Sequence, residues 1–143
     1  MALKKTQLLP ITTVVGVQTV GIYTAGLTAT SVGVGTTSYV KSIIMHNAGA
    51  AADHAGVGTA RVGIYLYPNT GVTDRVSGAG NSSYRIAQID LAPQETSFFE
   101  CNYPLVLAPF NAIAVDVKQG DLAGDAGVGT AVNFIINGDT ETP

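Results

Sequence analysis

Apolar and polar residues alternate with a period of two along several short segments of the chain. In residues 61–67 the aliphatic side chains occupy every second position, and residues 112–118 and 132–136 repeat the pattern. A period of two places alternate side chains on opposite faces of a strand, so each segment is predicted to have one core face. The other face of strand 61–67 is predicted to bear Tyr65 and Tyr67.

Residues 39–47 have a different pattern, because Ile43, Ile44 and Met45 are adjacent. Consecutive apolar residues put apolar side chains on both faces of a strand, which is typical of a strand in the middle of a sheet. This segment is therefore predicted to be a central strand covered on each side. Residues 47–49, Asn-Ala-Gly, are predicted to form the turn that follows it.

Three shorter patterns predict local features. Ile86 and Ile89 fall on opposite faces of a strand over residues 84–91, which predicts a bulge or a strand covered on both faces. The adjacent Phe98 and Phe99 are likewise predicted to face opposite sides. Residues 103–107 contain a proline, which suits a strand at the edge of a sheet.

The strand segments define an all-β fold class. Glycine, proline and asparagine separate the segments at a spacing of roughly 8–12 residues, and no window has a helical period with capping signals. The pattern predicts a two-sheet sandwich or jelly roll of eight or nine short strands with essentially no helix. The chain of 143 residues is predicted to be an N-terminal arm (1–11), one domain (12–139) and a C-terminal tail (140–143).

The N-terminal arm is a candidate contact segment. It carries Lys4 and Lys5, followed by Leu8, Leu9 and Pro10. An apolar terminus of this kind is often ordered only by a neighbouring subunit, and the alternative is a frayed end. A loop over residues 48–59, made almost wholly of Ala and Gly, is the second candidate contact segment. This loop contains Asp53 and His54.

The low share of charged residues affects the interpretation of the exterior. Charged residues make up 12% of the chain, about half of the roughly 25% usual in soluble domains. This favours an exterior partly covered by other subunits, and the alternative is a monomer with a Thr-, Ser- and Gly-rich surface. The net charge of −3 argues against a nucleic-acid partner. No apolar run approaches the ~20 residues that cross a bilayer, so no membrane partner is expected.

The residues with chemical potential form no recognisable catalytic or metal-binding pattern. Only two histidines are present, and the single cysteine, Cys101, is predicted to be a buried, inert thiol. Asp116, Asp121 and Asp125 lie near one Gly-rich loop but lack the spacing of a calcium-binding loop. No catalytic residue, metal or cofactor is therefore predicted. Tyr65 and Tyr67 remain candidates for stacking on a sugar or packing on a partner.

Seven segments spread over the strand-rich part of the chain form a recognisable pattern. They are Val-Gly-Ile-Tyr at 20–23, residues 39–47, residues 62–68, Arg-Ile at 85–86, residues 89–96, Ala-Ile-Ala-Val at 112–115 and residues 132–139. Together they resemble the small structural virion proteins of tailed bacteriophages, particularly those of cyanobacterial and other marine phages. The likeness spans residues 12–139.

The resemblance implies a structural role without catalytic residues. The expected function is that of a capsid decoration, or cement, protein, which binds the major capsid protein as a homotrimer and stabilises the head shell. The protein would be made in the host cytoplasm and end in the virion. An adaptor module in the tail, neck or a fibre is the alternative. A glycan-binding β-sandwich is a further one.

Overall fold

A computed structural model describes residues 2–26, 36–49, 58–68, 84–119 and 131–142. These residues form eight strands and no helix, which confirms the all-β prediction. The strands are β1 (Ala2–Val14), β2 (Gly16–Thr24), β3 (Thr37–Asn47), β4 (Ala60–Tyr67), β5 (Arg85–Leu91), β6 (Thr96–Leu107), β7 (Ala112–Gln119) and β8 (Val132–Thr142). Within the described part of the chain, no helix is long and apolar enough to cross a membrane.

The strands pair as a set of nested antiparallel hairpins. β1 pairs with β8, β2 with β7, β3 with β6, and β4 with β5. Additional pairings of β3 with β8 and of β4 with β7 produce two four-stranded sheets. Sheet A has the order β1-β8-β3-β6 and sheet B the order β2-β7-β4-β5. This arrangement is an eight-stranded jelly roll.

One apolar core lies between the two sheets. The alternating residues Ile113, Val115 and Val117 of β7 are fully buried in it, as the period of two predicts. Phe134 and Ile136 of β8 meet them from sheet A. The prediction of one core face on each of these strands is confirmed.

The prediction for β3 is confirmed in position and corrected on one point. The strand lies inside sheet A, between β8 and β6, and it buries Ile43 and Met45 completely. Ile44 points to the opposite side and stays only half-buried. No described strand covers that outer side of sheet A, so the part of the chain that the structure describes covers β3 on one face. The turn after it forms as expected, since the Gly49 N–H donates to Asn47 Oδ1 at 2.9 Å.

The termini are part of sheet A, which corrects the expected arm and tail. Residues 2–11 belong to β1, and residues 2–7 pair with the end of β8, with Ala2 opposite Thr142. The predicted tail, residues 140–143, is strand up to Thr142. The first and last strands thus form one antiparallel ladder, which is held by hydrogen bonds between their backbones. A segment paired in this way is not a free arm.

The edges of sheet A are interrupted by irregular backbone. β1 has two register shifts against β8, between Gln7 and Leu9 and between Leu9 and Thr12. On the other edge, residues 101–104 of β6 lie opposite the single residue Lys41 of β3 and therefore bulge outward. Bulges and prolines at such positions hinder another strand from pairing with the edge. The edge assignment of residues 103–107 is confirmed.

Candidate interaction surface

An apolar row crosses the outer face of sheet A. Phe98 of β6 pairs with Ile44 of β3, and Ile44 pairs with Ile135 of β8. The register shift in β1 leaves Pro10 and Ile11 opposite Ile135. We call Ile11, Ile135, Ile44 and Phe98 the apolar row. Its two ends are the most open, because Ile11 is 66% and Phe98 56% exposed.

A polar row lies on each side of the apolar row. One consists of Thr13, Asn133, His46 and Thr96. The other consists of Gln7, Asn137, Ser42 and Glu100. Hydrogen bonds join the members of the first row in two pairs. Thr13 Oγ1 donates to Asn133 Oδ1 at 2.6 Å, and His46 Nδ1 lies 2.7 Å from Thr96 Oγ1. An apolar strip bordered by polar groups is the composition expected of a surface that contacts another molecule.

A cleft lies at one end of the same face. It has a volume of about 250 Å³ and is lined by Leu3, Tyr39, Pro104, Asp139 and Glu141. We call it the Tyr39 cleft. The Tyr39 hydroxyl donates to Glu141 Oε2 at 3.0 Å, and this hydrogen bond raises the pKa of Tyr39 above its ordinary value. Asp139 Oδ2 forms an ion pair with Lys41 Nζ at 2.8 Å.

The five residues predicted as contacts in the arm separate into two groups on β1. Lys4, Lys5 and Pro10 are exposed, and they remain available to a partner. Leu9 is buried in the core, and Leu8 packs against the core from a half-buried position. The leucines therefore stabilise the protein's own sandwich. The two irregularities in β1 let Leu8 and Leu9 both reach the core although they are adjacent.

The predicted face bearing Tyr65 and Tyr67 exists, but the structure buries it. Tyr65 is 1% exposed and Tyr67 is buried, and the two pack in a second cluster with Ala112 and Ala114. The expectation of an open stacking or contact surface on these tyrosines is therefore corrected. The rings are buried because residues of β7 and the ring of Tyr84 lie against them.

A buried carboxylate holds the tyrosine cluster in place. Tyr65 Oη donates to Asp116 Oδ2 at 2.8 Å, and the Gly63 N–H donates to Oδ1 at 3.2 Å. Lys118 Nζ lies 3.8 Å from Oδ2. Burial, with the hydrogen bond to Asp116, raises the pKa of Tyr65 to about 12. The carboxylate of Asp116 therefore accepts two hydrogen bonds from residues of β4.

Other candidates from the sequence are separated or lie outside the described residues. Asp53 and His54 fall outside them, as do Asp121 and Asp125. Cys101 is half-buried in the bulge of β6, which differs from the expected burial. Among the residues that the structure describes, no group of three or more His, Cys, Asp or Glu side chains could hold a metal ion.

Comparison with family models, curated proteins and solved structures finds no significant match. The surface of this chain is therefore the feature that points to its function. The patterns in the sequence do not predict the apolar row, although the sequence contains one signal for it. Ile44 and Ile135 occupy positions of their strands that point away from the core, and an apolar residue at such a position is a candidate surface contact.

Proposed function

We propose that this protein acts by adhesion, as a structural protein of a tailed-phage virion. Within the virion, the proposed role is that of a decoration protein that binds the major capsid protein and stabilises the head shell. The apolar row carries the proposal, because it gives the molecule an exposed surface whose composition suits contact with another protein. The resemblance of residues 12–139 to small virion proteins supports the placement on a phage particle.

The size of the outer face is sufficient for a stable contact. Four strands at a spacing of about 4.8 Å and a length of about 11 residues at roughly 3.3 Å each give a face of about 700 Å². A specific protein–protein interface buries about 800 Å² on each partner. The outer face of sheet A is therefore close in size to one side of a standard interface. A sheet is also stiff, so it presents the row in a fixed geometry.

The low share of charge in the chain supports the same role. At 12% charged residues, few side chains must lose their hydration when the exterior is covered. Val15, Val20 and Ile86 are further exposed apolar residues, and they lie outside the outer face of sheet A. They are the positions that we propose for contacts between copies in a trimer.

Co-sedimentation of the purified protein with phage heads that lack it tests the proposal. Phe98→Glu places a charge at the exposed end of the apolar row and is expected to weaken head binding by at least about tenfold. The matched control is Gln88→Glu, which places the same charge at an exposed position on β5, an edge strand of sheet B, away from the proposed contacts. It is expected to leave head binding within about twofold of the unchanged protein. Equal binding by all three proteins would show that the apolar row is not the contact.

Electron cryo-microscopy of the complete particle tests the location. The decoration role predicts density over the head in hundreds of copies. Density at the neck, tail or a fibre, in about a dozen copies, would replace it with the adaptor role. The glycan-binding alternative has lost its main support, because the two tyrosines that suggested it are buried.

A further inference from the structure

We propose that the Tyr39 cleft binds an arginine side chain presented by a partner protein. The inference stands apart from the virion role, since it follows from the chemistry of the cleft and is tested with a small molecule. Three properties of the cleft support it: apolar walls, two carboxylates, and a buried carboxylate oxygen without a hydrogen-bond partner.

The walls fit the aliphatic part of a long side chain. Leu3 is well exposed on β1, Pro104 is exposed on the bulge of β6, and the ring of Tyr39 lies on β3 between these two edge strands. Long cationic side chains bury their methylene groups along apolar surface of this kind while the charged head contacts polar groups. A guanidinium also stacks favourably on a tyrosine ring.

The carboxylates provide acceptors for the charged head. Glu141 accepts one hydrogen bond, from the Tyr39 hydroxyl, and a carboxylate has acceptor sites for more. Asp139 engages Lys41 through Oδ2 alone. Lys5 lies opposite Asp139 in the β1–β8 register and is exposed. Among the described residues that line the cleft, two carry a carboxylate and none carries a positive charge.

Asp139 Oδ1 is the observation that points to a ligand. The residue is only 6% exposed, and this oxygen has no hydrogen-bond partner among the described residues. A buried carboxylate oxygen without a donor is costly, and a donor brought by a ligand removes that cost. Because the oxygen is covered in the free protein, the arginine reaches it through a small displacement of the side chains around it.

Arginine fits the cleft better than lysine does. A guanidinium presents five N–H donors in a planar fork, so it can donate to Glu141 and Asp139 together. An ammonium is more strongly hydrated and cannot stack in the same way. The cleft opens on the same face as the apolar row, and a protein that covers the row is therefore placed to insert such a side chain.

The test is an NMR titration of the full chain with Nα-acetyl-arginine amide. We expect saturable shifts of the Leu3, Tyr39 and Glu141 amide signals, with a dissociation constant on the order of 1 mM. Nα-acetyl-citrulline amide, which has nearly the same shape without the charge, is expected to bind at least about tenfold more weakly. The lysine analogue is expected to bind more weakly than the arginine one.

Two substitutions and a matched control complete the test. Glu141→Gln and Asp139→Asn are each expected to weaken binding of the arginine probe by about tenfold. Glu141→Gln keeps the Lys41–Asp139 pair and so remains informative if Asp139→Asn does not fold. Glu100→Gln removes a carboxylate from the same face but outside the cleft, and it is expected to leave binding unchanged.

Three results would overturn the proposal. The first is equal binding of the arginine and citrulline probes. The second is a loss of arginine binding in Glu100→Gln as large as the loss in Glu141→Gln. The third is saturable calcium binding at the cleft without arginine binding. None of them bears on the co-sedimentation experiment, which reports on the apolar row. Failure of the cleft proposal is thus distinguishable from failure of the adhesion role.

Discussion

Gly138 shows how closely two strands approach in sheet A. A Cβ atom at this position would overlap the backbone carbonyl oxygen of Tyr39 and would also press on Leu8. The obstacle is backbone, which cannot rotate away as a side chain can. The predicted domain ends at residue 139, one residue after Gly138. Instead, Gly138 lies within β8, where its missing side chain allows this approach.

Gly138→Ala is expected to destabilise the protein. Because the ladder must shift to admit the methyl group, the free energy of unfolding should fall by about 1–3 kcal/mol. Urea denaturation measures the loss. Gly21→Ala is the control, since Gly21 is exposed on the edge strand β2, and it should change stability by less than about 1 kcal/mol. Equal losses in the two variants would contradict the steric argument.

Residue-scale predictions from the sequence succeeded where the nearest neighbours along the chain decide the outcome. Phe98 and Phe99 face opposite sides of β6, as their adjacency requires. The expected irregularity in β5 is present, because Ile64 pairs with Ala87 while Tyr65 pairs with Arg85, which leaves Ile86 as an extra residue. The exposure of Tyr65 could not be predicted in this way, since the residues that cover it come from other strands.

At the scale of elements, Asn47 connects the end of one sheet to the other. Its side-chain Nδ2 donates to the Gly58 carbonyl at 2.6 Å and to the Leu91 carbonyl at 3.2 Å, and its Oδ1 accepts from Gly49. Asn47 ends β3 in sheet A, whereas Leu91 ends β5 in sheet B. The residue is fully buried, so these bonds are shielded from water.

Asn47→Ala is expected to lower the free energy of unfolding by roughly 1–3 kcal/mol, because two buried carbonyls lose a donor. Chemical denaturation measures this change. Asn133→Ala is the matched control, since its side chain accepts a hydrogen bond from Thr13 on the outer face, where water can replace it. It should cost less than about 1 kcal/mol. A larger loss in the control than in Asn47→Ala would contradict this account.

The strands themselves were largely predictable, and their partners were not. Period-two alternation predicted β4, β7 and β8, and a proline predicted the edge position of β6. The pairing of β1 with β8 is not predicted by the sequence, whose pattern indicates an arm and a tail at their outer residues. The sequence carries no local mark for a pairing between residues separated by most of the chain, since only the assembled sheet brings them together.

At the scale of the whole molecule, the nested pairing concentrates exposed apolar side chains on one face of sheet A. The apolar row needs one residue from each of four strands. The strand β6 supplies Phe98 and also Tyr103, which is 90% exposed at the bulge. The face is therefore a property of the folded jelly roll as a unit.

The proposed trimer is tested at this scale. Light scattering of the purified protein is expected to give three times the chain mass of 14.6 kDa. If the copies assemble only on the shell, electron cryo-microscopy of the head is expected to show threefold-symmetric density instead. Symmetric contacts between copies bury surface on each of them, so the low-charge exterior favours such an assembly. Isolated single copies on the head, without threefold symmetry, would contradict the trimer.

The sequence by itself determined the all-β class of this protein, the alternating core faces and the turn after β3. These features depend on the two-residue period of a strand and on the backbone preferences of glycine, proline and asparagine, which act between neighbours in the chain. Only the tertiary structure decided that the termini pair, that Tyr65 is buried, and that the apolar row and the Tyr39 cleft form. Those features depend on cross-strand register, which joins residues far apart in sequence and is settled only when the two sheets close on one core.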